Sequence, residues 1–295
     1  MTTKPRVLLT GSSGRVGQAI AEALCDQYEI IGLDLVPGRF TSHLGSVADP
    51  DRVAEALQGA MAVIHVASLH APHVGVEGEA RFRAVNVEGT RLLLEAMGDA
   101  RVGQLVYTSS TSVYGHALEP DDEAVWVTED LEPRPRDIYD ETKLAAEALC
   151  REAAEQGLLS CTSLRISRCF PEPDHLVATY RLYRGVDLRD VGQAHRLALE
   201  QAGHGYEMYN ISARSPFRQE DCAELLRDAP AVLRRRLPWL EAAFRTRGWP
   251  LPASIDRVYV IDKACRELGY APRFNVDRHD FLTAEPTDNT ALEPT

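Results

Sequence analysis

Arg6-Val7-Leu8-Leu9-Thr10-Gly11-Ser12-Ser13-Gly14-Arg15-Val16-Gly17 is the stretch on which the fold of this chain turns. Its first five residues are an apolar run of the length a buried strand needs, and Gln18-Ala19-Ile20-Ala21-Glu22-Ala23-Leu24 follows with helical periodicity. Between them stand three glycines. Glycine permits a tight turn and close backbone approach, and a helix N-terminus offers free amides and the positive end of a dipole. Strand, glycine turn and helix in this order therefore suit a dinucleotide pyrophosphate. Gly11, Ser13, Gly14, Arg15, Val16 and Gly17 are the expected cradle. The spacing is G-x-x-G-x-x-G rather than the commoner G-x-G-x-x-G, and such a triplet alone is a weak signal.

Working outward, a second apolar run, Glu29-Ile30-Ile31-Gly32-Leu33-Asp34, closes on a carboxylate. An acid at the end of the second strand accepts hydrogen bonds from the adenosine ribose and repels a 2′-phosphate, which favours NAD over NADP. Asp34 could also be a turn residue before Pro37-Gly38, and the nearby Arg39 keeps NADP open. Strand-like runs recur at Ala62 to Val66, Gln104 to Thr108, Ser160 to Ile166 and Glu207 to Ile211. Helical stretches fall at Ala54 to Leu57, Ala84 to Met97, Ile138 to Glu155 and Asp187 to Ala202. This alternation predicts an α/β fold, a Rossmann-type doubly wound parallel sheet.

Residues 1–169 are expected to form the NAD-binding Rossmann domain, its sheet completed by 185–212. Phe170-Pro171-Glu172-Pro173 interrupts regular structure. Segments 170–184 and 213–283 are expected to make a small, mostly helical substrate-binding region, and 284–295 a flexible tail.

Tyr139 and Lys143 stand one helical turn apart in Tyr139-Asp140-Glu141-Thr142-Lys143, so on a helix they share a face. A phenol with a pKa of about 10 is a poor base near neutrality, and a fixed cation beside it favours the phenolate. Tyr139 could then exchange a proton with a substrate alcohol or carbonyl while the Ser110 hydroxyl holds the same oxygen. Tyr-x-x-x-Lys also arises by chance as two solvated residues of a surface helix.

Taken in order, these segments resemble the extended short-chain dehydrogenase/reductases, the NAD-dependent epimerase/dehydratase family. Thr10-Gly11-x-x-Gly14-x-x-Gly17 and Tyr139-x-x-x-Lys143 are similar to its two motifs, and Thr108-Ser109-Ser110-Thr111-Ser112-Val113-Tyr114-Gly115 to its active-site strand. Ile64-His65-Val66-Ala67-Ser68, Asn86-Val87-Glu88-Gly89-Thr90, Leu164-Arg165-Ile166 and the Asp187 segment fill the intervals. The resemblance implies catalysis by Ser110, Tyr139 and Lys143, and NAD contacts from Val66, Ala67, Ser68, Asn86, Tyr139, Lys143 and Ile166 besides the glycine turn and Asp34. It implies substrate contacts from Ser110, Thr111, Ser112 and Tyr139, and a homodimer. Adenine recognition is left open between Ser46 and Asp49.

Reaction class divides the family. Its sugar-nucleotide dehydratases carry an Asp-Glu pair where this chain has Thr111-Ser112, which disfavours water elimination. The short interval from Arg165 to Asp187 implies a small substrate pocket, and Leu164 to Pro173 resembles the matching segment of uronate dehydrogenases. Arg165 or Arg168 could meet a substrate carboxylate, or Arg165 could be a structural ion-pair partner. The leading reading is an NAD-dependent oxidoreductase acting on a secondary alcohol or ketone of a small sugar or sugar acid. Alternatives are a nucleotide-sugar 4-epimerase gripping a diphosphate with Arg234-Arg235-Arg236, and a non-catalytic NAD-sensing regulator.

At 295 residues with 44% hydrophobic content the chain can bury a sizeable core, and its net charge of −12 argues against nucleic-acid or anionic-membrane partners. No N-terminal apolar leader or spanning run is visible, and six scattered cysteines read as buried thiols of a reducing compartment, so a cytoplasmic place is expected. His65, His70 and His73 lack a completing ligand, and no metal is expected. His70, in the loop after the fourth strand, is a candidate substrate contact instead.

Overall fold

Val7, Leu8 and Leu9 are fully buried because β1 (Arg6–Thr10) lies inside a seven-stranded parallel sheet. The computed structural model describes residues 4–201, 203 and 205–277. The other strands are β2 (Glu29–Asp34), β3 (Thr41–Leu44), β4 (Ala62–His65), β5 (Gln104–Ser110), β6 (Val125–Val127), β7 (Ser160–Ile166), β8 (Tyr206–Ile211) and β9 (Arg257–Tyr259). The large sheet runs β3-β2-β1-β4-β5-β7-β8, and β6 pairs with β9 in a separate parallel ribbon. Strand order reverses between β1 and β4, so a crevice opens at the carboxyl ends of those strands, the place where open α/β sheets bind ligands.

Helices cover both faces. On one, α1 (Arg15–Leu24) buries Ile20, Ala21 and Leu24 against β1 beside Val191, Ala194 and Ala198 of a later helix, Leu188–Glu200. On the other, α2 (Pro50–Ala56), the run from α3 (Glu79–Phe82) to α4 (Gly89–Ala100), and α5 (Ile138–Glu155) bury Val53, Leu93, Met97 and Ala146. A wide π turn over Arg83–Glu88 joins α3 to α4. The remaining helices are α6 (Asp174–Tyr180), α7 (the Leu188–Glu200 helix), α8 (Cys222–Arg236), α9 (Leu240–Thr246) and α10 (Asp262–Glu267). A third core, with Ala178, Leu182, Phe217, Leu225, Val232, Phe244 and Val258, gathers α6, α8, α9 and the ribbon at one side of the sheet.

The expected Rossmann sheet is present. Its β3 was not legible, because Thr41-Ser42-His43-Leu44 alternates between half-buried and exposed and carries no apolar run. The C-terminal portion is mostly helical, as expected, through α8, α9 and α10. It contributes β9, and α8 breaks at Asp228 ahead of Pro230, whose ring cannot sit inside a continuous helix. Cys150, Cys161 and Cys222 are buried thiols, whereas Cys25, Cys169 and Cys265 are half-buried, which corrects the expectation for those three. No helix among the described residues is long and apolar enough to cross a membrane. The expected tail, 284–295, and the end of the 213–283 segment lie outside the described residues.

Two histidines tie the sheet to its helices. His195 on α7 donates from Nδ1 to the Val191 carbonyl at 2.8 Å, leaving Nε2 to accept from the Thr108 hydroxyl at 2.8 Å. His65 bridges Thr10 and Thr90. Burial pushes the His195 ring down to about 4 and the His65 ring to about 3, the latter aided by the Lys143 charge. An unfolded histidine binds its proton near pH 6.5. Between pH 6.5 and about 4 the unfolded chain therefore holds more protons, and stability falls as the pH is lowered. The free energy of unfolding, measured by urea titration, is expected to drop across that window, with a shallower slope in His65→Asn and His195→Asn.

Candidate active site

The glycine turn is built by contact. Gly11 has φ +72°, a conformation that favours glycine, and a Cβ there would lie 2.8 Å from Ala67 N. A Cβ on Gly17 would lie 2.0 Å from the Gly11 carbonyl oxygen, so no other residue lets α1 start so close to β1. Gly14 is the N-cap of α1 and no side chain caps the helix, which leaves its first amides for a ligand. Asp34 ends β2 beside them, accepting from Ser13 N at 2.9 Å and Val36 N at 3.2 Å. Gly11, Gly14, Arg15, Val16, Gly17 and Asp34 line one end of a cleft of about 720 Å³. Ser13 is absent from that lining; its hydroxyl bonds Val36 O and Thr41 at 2.7 Å. Arg39 faces Glu22 at 3.7 Å rather than the cleft, so the structure gives it no place against a 2′-phosphate. Ser46 lines the cleft, while Asp49 is turned away to cap α2 through Asp51 N and Arg52 N.

A chain of hydroxyls shapes the next stretch of wall. The amides of Val66 and Ala67 donate to Thr10 Oγ1, which in turn donates to His65 Nδ1 at 2.7 Å. His65 Nε2 donates to Thr90 Oγ1 at 3.0 Å, and Thr90 donates to the Asn86 carbonyl. Asn86 sits on the π turn, and its side chain clamps the Leu69 backbone at 2.8 and 2.9 Å and the Thr142 hydroxyl at 3.0 Å. Val66, Ala67, Ser68 and His70 thereby reach the cleft, but Asn86 does not. This corrects its expected cofactor contact, since its amide is consumed in holding the loop. His65 is likewise spent on structure, His73 receives the His70 amide, and among the described residues no cluster of His, Cys, Asp or Glu could hold a metal.

Ser110, Tyr139 and Lys143 converge on the middle of the cleft. Asp137 caps α5 by accepting from Asp140 N, which starts the helix one residue before Tyr139. The Tyr139 phenol and the Ser110 hydroxyl both line the cleft here, and Ser110 Oγ accepts from Ser112 N at 3.1 Å. Lys143 is buried; its Nζ donates to the Thr108 carbonyl at 2.6 Å and lies 4.2 Å from the Tyr107 ring centre. The expected lowering of the phenol is reversed. Tyr139 has one edge at the cleft, yet desolvation outweighs the opposing influence of the Ser110 hydroxyl and pushes it up to about 12. Desolvation also pulls Lys143 down to about 7, against the attraction of Glu147.

Beyond Ser110 the cleft is lined by Thr111, Ser112, Leu118, Ile166, Arg168 and Tyr259. Arg165 is not there. It is 2% exposed and grips Glu147 of α5 through two bonds of 3.0 and 2.7 Å. The register explains this: Ile166 pairs with Ser110 and lines the cleft, so its neighbour Arg165 faces the opposite side of the pleat. Arg168 does line the cleft, engaged with Glu172 at its rim. Arg234, Arg235 and Arg236 pair with Glu241, Asp221, Glu224 and Glu220 and are not in the cleft, so they provide no diphosphate grip there. Leu118, Arg184, Arg257 and Tyr259 had no sequence signal, because tertiary packing brings them there: Leu118 and Tyr259 pack with Tyr114 and Val127, while Tyr183 and Val258, beside Arg184 and Arg257, belong to the third core.

The model described as the NAD dependent epimerase/dehydratase family matches residues 7–177. The chain belongs to that family. A 3-beta-hydroxysteroid dehydrogenase of Mycolicibacterium neoaurum is 27% identical, covering 92% of this chain and 88% of its own length. An NAD-dependent glucose-6-phosphate dehydrogenase of Haloferax volcanii is 30% identical across 96% of this chain and 98% of its own. A short-chain dehydrogenase/reductase superfamily protein from Agrobacterium tumefaciens, with bound NAD, shares the fold at a TM-score of 0.71 and 23% identity, covering 92% of this chain and 94% of that one. UDP-glucose 4-epimerase from Brucella ovis, in complex with NAD, does so at 0.67 and 21%, with the same coverage. This member of the epimerase/dehydratase family is thus an NAD-dependent enzyme with dehydrogenases and epimerases among its relatives.

In this family member the Arg165–Glu147 pair is a test of what is structural. Removing one partner strands a buried charge, so Glu147→Ala is expected to cost about 3–5 kcal/mol in urea unfolding. The double variant Arg165→Met/Glu147→Leu is expected to recover most of that loss and to keep NAD binding by titration.

Proposed function

We propose that this enzyme transfers hydride between NAD and a secondary alcohol or ketone of a small sugar-like molecule, with Tyr139 as acid and base. The observation that carries the reading is the meeting of Ser110 and Tyr139 in the cleft wall with Lys143 buried one turn away. The cleft also favours a small substrate, because about 720 Å³ must accommodate both a dinucleotide and the reacting molecule. Segments 170–184 and 213–277 act as the cover of its substrate end, and 1–169 with 185–212 as the cofactor half.

The cradle fits NAD on its free α1 amides and on glycines whose Cβ atoms would fill it. Those amides receive the pyrophosphate, Asp34 takes the adenosine ribose, and Lys143 holds the nicotinamide ribose. NAD, when bound, supplies the hydride acceptor. Ser110 positions the substrate oxygen, and Tyr139 takes the hydroxyl proton as the carbon loses hydride and the carbonyl forms; in reduction Tyr139 returns that proton. A phenol at about 12 is a proton donor at neutral pH, so reduction runs there directly, whereas oxidation needs the phenolate.

The epimerase reading loses its proposed diphosphate anchor, since Arg234 to Arg236 pair with carboxylates away from the cleft. Free NAD and a sugar substrate are expected to give steady NADH absorbance; a fixed stoichiometric trace would sink the dehydrogenase reading. Tyr139→Phe is expected to lower kcat by roughly 10²–10⁴-fold while isothermal titration still shows NAD binding. In the wild type, kcat/KM for oxidation is expected to rise with pH above neutrality, because each unit toward about 12 exposes more phenolate. A flat profile from pH 7 to 10 would count against Tyr139 as the base.

A further inference from the structure

Six arginines line the cleft, and five are engaged. Arg81 pairs with Glu77, Arg136 with Asp140, Arg168 with Glu172 and Arg257 with Asp256, while Arg15 donates to the Cys169 carbonyl. The sixth is Arg184. Among the described residues its guanidinium has neither a carboxylate nor a hydrogen-bond acceptor, and its Nε is buried without a partner. Aromatic rings hold it instead: its guanidinium carbon lies 4.2 Å from the Tyr180 ring centre and 5.4 Å from that of Tyr183. Tyr180 also receives Arg168 at 5.3 Å, so one ring serves two cations.

Position places this cation by the chemistry. Ile166 is level with Ser110 across β5 and β7, and two residues on, Arg168 N donates to the Arg184 carbonyl at 3.0 Å in a bridge with Gly185. Arg184 therefore stands just past the carboxyl end of β7, on the Ser110 side of the cleft. A half-buried guanidinium has lost part of its hydration, and stacking returns only part of that loss. The ion pairs of Arg168 and Arg257 cancel their own charges and Arg15 is occupied by the Cys169 carbonyl, which leaves Arg184 as the cleft guanidinium with neither a carboxylate nor an acceptor among the described residues.

We propose that Arg184 is the recognition site for an anionic group on the substrate, a carboxylate or a phosphate carried by a sugar-sized polyol. The proposal rests on the hydride-transfer reading for the word substrate and on geometry for the word anionic. Two rings hold the guanidinium in place, and its planar fork suits the two oxygens of a carboxylate or phosphate. A bulky neutral alcohol would leave the same guanidinium desolvated and unpaired, so it is disfavoured.

The experiment compares wild type, Arg184→Gln and Arg184→Lys. Initial rates of NADH formation are measured with glucose, glucuronate and glucose 6-phosphate, the last two separating carboxylate from phosphate. The wild type is expected to prefer one anionic sugar over glucose in kcat/KM. Because a hydrogen bond to a charged group contributes about 1.5–3 kcal/mol, Arg184→Gln is expected to cut that preference about 10- to 100-fold, with partial recovery in Arg184→Lys. Melting of the NAD-saturated proteins is followed in parallel with the two anionic sugars and with inorganic phosphate. Stabilisation of the wild type that is lost in Arg184→Gln supports the anion site even without turnover, and in that case only the hydride-transfer reading falls. No stabilisation by any of the three anions, or the same stabilisation in Arg184→Gln, overturns the anion site.

Discussion

A single close approach governs this molecule: the Gly11 carbonyl oxygen lies where a Cβ on residue 17 would have to sit, 2.0 Å away. Because Gly17 has no Cβ, α1 can begin immediately beside β1 and aim its uncapped amides into the crevice. Gly11 in turn backs onto Ala67, so the loop after β4 is pressed against the same turn. The Thr10–His65–Thr90 chain then fixes that loop from behind, with each hydroxyl donating one bond and accepting another. A neutral buried imidazole completes the relay without placing a charge in the core.

The electrostatic design follows from burial. Desolvation pulls Lys143 down to about 7 while its ammonium donates to a carbonyl, and burial holds Tyr139 protonated. Arg165 shows the contrary arrangement. Its charge is matched by Glu147 through two hydrogen bonds, which makes it a brace between β7 and α5. Two arginines three residues apart, Arg165 and Arg168, thus face a sealed interface and an open cleft.

Sequence reading was strongest where local pattern and chemistry coincide. The strands at Ser160 to Ile166 and the helix at Ile138 to Glu155 match their expected bounds, since periodicity and the Asp137 cap are local signals. It was weakest where tertiary contact decides the role. Asn86 looks like a cofactor ligand in sequence, yet the π turn directs its amide to the Leu69 backbone. Thr41 to Leu44 is a strand only because β2 offers an edge, and Val125 to Val127 only because β9 lies beside it.

By itself, then, the sequence determined the parallel α/β sheet, the glycine cradle and the placing of Ser110, Tyr139 and Lys143 at one sheet edge, because strand length, helix period and glycine geometry act over a few residues. The tertiary structure alone decided the state of those groups and the makeup of the substrate end. Desolvation depends on everything packed around a side chain, which is why Tyr139 moves up rather than down. Whether an arginine is free depends on which carboxylates the fold brings near it, and that leaves Arg184 rather than Arg165 facing the cleft unpaired among the described residues.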